Sequence, residues 1–314
     1  MAVRMNSDYP RRLRRVAVLI FTAAALSQPA EAHHCGDTPV PLDHRDPVLQ
    51  QELTRALRRA GLSSPIRDRQ LAVSLVDLSR PQHVYYSGVN DDHMMYAASL
   101  PKIGILIALA DSIDRGEVDY EESFRWRITK MITKSNNAEA SWGAKLVGLR
   151  GIAKVMRDPR YCLYDEPSGG IWVGRAFEKG GESYRDPMKS LSHAASARQA
   201  ARFYLMLDRG VAVSPYWSEW MIERMAPPEY FHKFVGALQD RSGLTFVARK
   251  SGTWRQFHSD SALIQHGSAR YIVVGLAEHT DGAKWMNQIA HLADDIIVAG
   301  RHRRWRSAGK TGGR

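Results

Sequence analysis

Ser99-Leu100-Pro101-Lys102 stands at the mouth of an apolar helical run, Ile103 to Ile113, and the reading of these four residues decides what the rest of the chain has to be. A serine hydroxyl is a weak nucleophile until a base takes its proton and donors receive the oxyanion. Ser99 and Lys102 are three apart, so a helix start puts them on one face. Pro101 suits a first helical turn, where its missing N–H costs nothing. A lysine entering an otherwise apolar helix has its charged form disfavoured by desolvation, and a second lysine nearby pushes the same way. A neutral Lys102 could then accept the Ser99 proton. Further on, Ser135-Asn136-Asn137 has the form S-x-N and opens another helix, where Ser and Asn are also ordinary N-caps. Lys250-Ser251-Gly252-Thr253-Trp254 ends a strand, and its glycine permits close approach of a ligand to the backbone.

In this order the words S-x-x-K, S-x-N and K-[ST]-G resemble those of the class A β-lactamase and penicillin-binding protein superfamily. The resemblance covers nearly the whole chain beyond its leader. It implies Ser99 as nucleophile, Lys102 as base and Ser135 as proton donor to the leaving nitrogen. Asn137 would hold the substrate's amide, while Lys250 and Ser251 would receive its carboxylate. Gly252 would let the ligand approach, and the N–H groups of Ser99 and Thr253 would form the oxyanion hole. Asn136 stands where the family more often has Asp. For the water that frees the acyl-enzyme, class A enzymes use a Glu in Glu-Pro-x-x-Asn. Glu166-Pro167 supplies the dipeptide, with Gly170 in place of Asn. Glu178, Glu182 and Asp186 are the other carboxylates of that loop. The implied activity is an exported serine hydrolase forming an acyl-serine on an amide carbonyl, β-lactam hydrolysis first, with a D-alanyl peptidase or amidase as the alternative. A non-catalytic sensor would be expected to lack one of the words. The expected partner is a small β-lactam or a D-amino-acid peptide, met by a monomer without cofactor or metal.

The elements around the words predict how they are brought together. Pro47 to Ala60 has helical spacing, with Gly61 as its stop. Leu71 to Leu78 and His83 to Gly88 alternate about a turn, a β-hairpin pattern. Helices are expected at 136–147, 152–156, 194–207 and 215–225, and strands at 244–250, 261–265 and 270–277. A last helix follows at 283–298. The Gly-rich stretch from Pro167 to Pro187 reads as a long irregular loop. The order predicts an α+β fold: a five-stranded antiparallel sheet from 45–98 and 230–300, flanked by terminal helices, with an inserted all-helical domain at 99–229. The site would lie at their seam.

Charge and targeting signals narrow the class further. The formal net charge is +11 over 314 residues. Residues 1–32 contribute +3 of it and residues 301–314 contribute +6, leaving +2 for the body. No basic stripe of the kind phosphate binding requires remains, so nucleic acid is not an expected partner. The 301–314 stretch reads as a basic disordered tail. Arg11 to Arg15, the short apolar run Val16 to Leu26 and Ala30-Glu31-Ala32 predict a signal peptide over 1–32, too short in its apolar part for a stable anchor, and a periplasmic or secreted product. In that compartment Cys35 and Cys162 are free to pair. His258 and Asp260, two apart, could complete a serine triad with Ser99, although a polar cross-strand role is the reading favoured for them. His193 invites the same suspicion. His33, His34, Cys35 and His44 lack the spacing of a zinc site.

Overall fold

The computed structural model of the protein describes Val40 and residues 42–303. The predicted leader and Cys35 lie outside the described residues. Five strands form one antiparallel sheet: β1 Leu71–Asp77, β2 Tyr85–Val89, β3 Leu244–Trp254, β4 Phe257–His266 and β5 Ala269–Glu278. Their spatial order is β2-β1-β5-β4-β3, so the sheet is closed where β1 of the first piece of chain pairs with β5 of the second. This is the α+β architecture expected from the sequence. β3 runs on through Lys250 to Trp254 rather than stopping at the lysine. A two-residue turn at Arg255, with φ of 51°, returns the chain as β4 and keeps Trp254 opposite Phe257.

Alternation along the strands sorts side chains into two apolar layers. Leu71, Val73, Leu75, Tyr271 and Val273 face the helices Pro47–Arg59 and Gly282–Ala299. The first of these starts at a strong cap, since Asp46 Oδ1 accepts from Val48 N and Leu49 N at 3.1 and 2.9 Å, with Pro47 as the first helical residue. Ala72, Val76, Ile272, Val274 and Leu276 face the other way, into the helices of 99–229. That second layer is continuous: Leu106, Ile132, Phe203 and Met221 of the helical segment belong to the same apolar body as the sheet's inner face.

Within the helical segment the structure adds Ser123–Thr133, which the sequence conceals. Phe124, Trp126 and Ile128 alternate as a strand would, and Thr129 follows them, yet Phe124, Ile128, Met131 and Ile132 are its buried stripe. The Gly-rich stretch is more ordered than its composition suggests. Tyr164–Asp165 pairs with Gly169–Gly170, and Trp172–Val173 pairs with His193–Ala195, which in turn pairs with Met95–Tyr96. The tail boundary at 301 is corrected as well. Residues 301–303 form a helical turn, and buried His302 sets Nε2 2.6 Å from Asp77 Oδ2. Among the described residues no helix is long and apolar enough to cross a membrane.

Candidate active site

Ser99 sits in the tight turn that feeds the helix Lys102–Asp114. The turn is held by Leu100 N on Ala97 O at 3.1 Å and Lys102 N on Ser99 O at 3.3 Å. Ala98, just before the serine, has φ of 51°, a region that alanine rarely occupies. Strand β3 comes directly against this turn. A Cβ on Gly252 would lie 2.6 Å from both Ser99 N and Ala97 O, so only glycine lets the strand approach the nucleophile. Ser259 Oγ ties β4 to the same turn by donating to Ala97 O at 2.9 Å.

Lys102 is the first residue of its helix and is fully buried. Its Nζ donates to Ser135 O at 2.5 Å and Asn137 Oδ1 at 2.8 Å, and lies 3.4 Å from Ser135 Oγ. Burial lowers its pKa to about 7. Lys250 reaches the same serine from the sheet, donating to Ser135 Oγ at 2.9 Å and to Ser251 O at 2.6 Å. Its pKa is held well below the ordinary lysine value by burial and then by the charges of Lys102 and Arg249. Ser135, with φ of 51°, thus stands between the two amines. Asn136 does the work of an Asp at that position: its side chain accepts from Glu139 N at 3.0 Å and caps the helix Asn137–Val147. Asn137, whose Oδ1 accepts from Lys102, lines the cleft.

That cleft encloses about 600 Å³ and is lined by Ser99, Asn137, Thr253, Phe177, Glu178 and His193, among others. Tyr96, Trp254 and Phe257 give it an aromatic side, and Arg175 and Lys179 supply positive charge at the loop. Burial lowers the pKa of His193 to about 4, so the ring is neutral, lodged between Ser192 Oγ at 3.1 Å and Arg175 O at 3.2 Å.

The structure brings together Ser99, Lys102, Ser135, Asn137 and the Lys250–Thr253 strand. It does not bring Glu166 to them. The Glu166 carboxylate is 83% exposed and lies 3.9 Å from Arg157, away from the cleft. The Tyr164–Gly170 hairpin turns it outward, with Asp165 Oδ1 fixing the turn by accepting from Ser168 N at 2.7 Å. Gly170 replaces the family's Asn because a Cβ there would sit 2.2 Å from Leu163 O. Glu182 is exposed, and Asp186 is buried in the service of the loop, accepting from Met188 N at 3.0 Å and Lys189 N at 2.9 Å. Of the four loop carboxylates only Glu178 lines the cleft. Beside Lys102 stands an aromatic ring: its Nζ is 4.7 Å from the centre of Phe177. Ser141 Oγ pins that stretch, accepting from Phe177 N and Glu178 N at 3.1 Å each.

The triad alternative is not assembled. Asp260 is committed to Arg249 through two bonds of 3.0 and 2.8 Å, and His258 Nδ1 is buried without a partner among the described residues. Sequence reasoning also passed over Lys233, a buried amine beneath β3 that donates to Gly252 O at 2.6 Å and Thr253 Oγ1 at 2.8 Å. Burial lowers its pKa to about 8. Nothing in Phe231-His232-Lys233-Phe234 marks that lysine out. Cys162 is disulfide-bonded.

A sheet built from two chain pieces, with an inserted helical segment and two buried lysines meeting at one serine, defines the β-lactamase and penicillin-binding class of fold. Residues 52–127 and 123–298 match the model of the Beta-lactamase enzyme family, and the chain belongs to that family. It is a β-lactamase-like hydrolase. A search of curated proteins finds no match. Among solved structures the chain is similar to PBP-A at 17% identity and a TM-score of 0.60, covering 81% of this chain and 97% of that one. It is similar to a β-lactamase from Sphaerobacter thermophilus at 15% identity and a TM-score of 0.60, covering 80% and 97%. A class A β-lactamase representative from Bacteroides cellulosilyticus stands at 11% and 0.58, covering 79% and 97%. At these identities the likeness is one of fold.

Proposed function

We propose that the protein is an exported hydrolase that is acylated at Ser99 by β-lactams. The observation that carries this is the placement of Lys102 and Lys250 within reach of Ser135, with Lys102 also on Asn137, which lines the same cleft as Ser99. Ser99 Oγ attacks the amide carbonyl carbon as its proton passes to neutral Lys102. The oxyanion rests on the N–H groups of Ser99 and Thr253, and the C–N bond breaks as the nitrogen takes a proton by way of Ser135. Lys250 and Ser251 meet the substrate carboxylate. The disulfide at Cys162 supports passage through an oxidising compartment, in keeping with the signal-like leader.

Release of the acyl group is where the loop matters. With Phe177 beside Lys102 and Glu166 outside the cleft, the one loop carboxylate that lines the cleft among the described residues is the exposed Glu178. This favours slow release of β-lactams and, as the second reading, a natural substrate that is an envelope peptide or amide. A point mutant of the structural neighbour PBP-A has been captured as an acyl-enzyme with penicillin G, which suits the same reading. Intact-mass spectrometry over time with penicillin tests both. An adduct that persists for many minutes supports slow release, sustained nitrocefin turnover supports a β-lactamase, and no adduct at all refutes acylation.

A further inference from the structure

Three buried lysines converge on this site, and two of them face Ser135. The third, Lys233, is 4% exposed and spends its three protons on Gly252 O at 2.6 Å, Thr253 Oγ1 at 2.8 Å and Ser259 O at 3.0 Å. An ammonium has three donors and no more, so this one has none left for a substrate. Its backbone has φ of 53°, a region a lysine rarely enters, and the next residue is anchored by Phe234 N on Asp260 Oδ2 at 3.1 Å.

The carbonyl that Lys233 holds belongs to a particular peptide. Gly252 C=O and Thr253 N–H are the two ends of one planar trans unit, so they point in opposite directions. Gly252 O faces β4, where Ser259 Oγ also lies 3.4 Å away. The N–H of Thr253 therefore points to the free edge of β3, the side on which Thr253 and Ser99 line the cleft. A cation on the carbonyl oxygen of an amide draws electron density along the conjugated unit and makes its N–H a stronger donor. We infer that Lys233 is a positioning residue for the oxyanion site, acting on it through the Gly252–Thr253 peptide that it holds from behind. The inference rests on the acylation reading for its catalytic effect, though not for the polarisation itself.

The test begins with the unliganded protein. In Lys233→Met the Thr253 amide ¹⁵N resonance should move upfield by more than the neighbouring β3 amides do. Acylation by a fluorescent penicillin, with the binding and acylation constants separated by stopped flow, should lose about tenfold in rate at unchanged binding. That is a fraction of the ~10²–10³ that follows from removing an oxyanion donor outright. The ester carbonyl stretch of the acyl-enzyme should rise in wavenumber. Should the methionine variant not fold, Lys233→Gln, which keeps a donor without the charge, gives the same reading with a smaller shift. A lower melting temperature with an unmoved Thr253 resonance and a wild-type acylation rate makes Lys233 a packing residue and overturns the proposal. A wild-type protein that takes no label refutes acylation, while the resonance still decides polarisation.

Discussion

Behind the helix-and-sheet wall of the cleft, which Ser99, Asn137 and Thr253 line, Ser135 Oγ lies within 3.4 Å of Lys102 and 2.9 Å of Lys250, both amines buried. On the loop wall, the same cleft is met by the Phe177 ring and by the exposed Glu178. The first wall holds proton-transfer groups fixed before any substrate arrives, which is where electrostatic preorganisation has its effect. The second supplies shape and a single exposed carboxylate. On the proposed reading, building an acyl-serine and breaking it are tasks given to different parts of the molecule, and the buried amines serve the first.

Changes on the first wall should be severe. Ser99→Ala is expected to abolish the penicillin adduct in intact-mass spectra while near-UV circular dichroism stays native, since the turn keeps its backbone. Lys102→Ala should slow acylation by about 10²–10⁴-fold, the range for a positioned general base. The pH profile sharpens this. With the neutral amine as the proposed base and burial lowering the Lys102 pKa to about 7, wild-type acylation should rise with pH through that value and then level, and Lys102→Ala should lack that limb. A limb unchanged in the variant would move the base elsewhere.

The loop wall should respond in the opposite sense. Phe177→Glu places a carboxylate beside Lys102, and adduct lifetime should fall by about tenfold or more as a general base becomes available for water. An adduct just as persistent would show that the loop backbone, not the side chain, withholds the water. The smallest effect is expected for Glu166→Gln: acylation and release rates both within about twofold of wild type, as for a surface ion pair. A trapped adduct in that variant would mean the hairpin swings into the cleft and would erase the contrast between the walls.

The contrast also marks what could be read from the sequence. Ser99, Lys102 and Ser135 could be singled out because each lies at or just before a helix start, where a short word fixes both residue and orientation, and Lys250, inside β3, by its Lys-Ser-Gly word alone. Ser123–Thr133 was hidden because its apolar residues happen to alternate. Glu166 misled because Glu-Pro says nothing about which side of a hairpin it will occupy, and that depended on Asp165 capping its own turn. Phe177 and Lys233 were illegible for a common reason: their meaning comes from Ser141 and Gly252, distant residues with which they share no sequence pattern.

The apolar body shared by the sheet's inner face and the helical segment bears on how this molecule can acquire new habits. A protein whose halves meet at a seam can widen its cleft by rocking them. Here one apolar body runs beneath the cleft through both pieces, so a substitution in it bears on either side. Change is therefore best tolerated at exposed positions outside it, such as Glu178, Lys179 and Glu182 of the loop and the hairpin tip at Arg255.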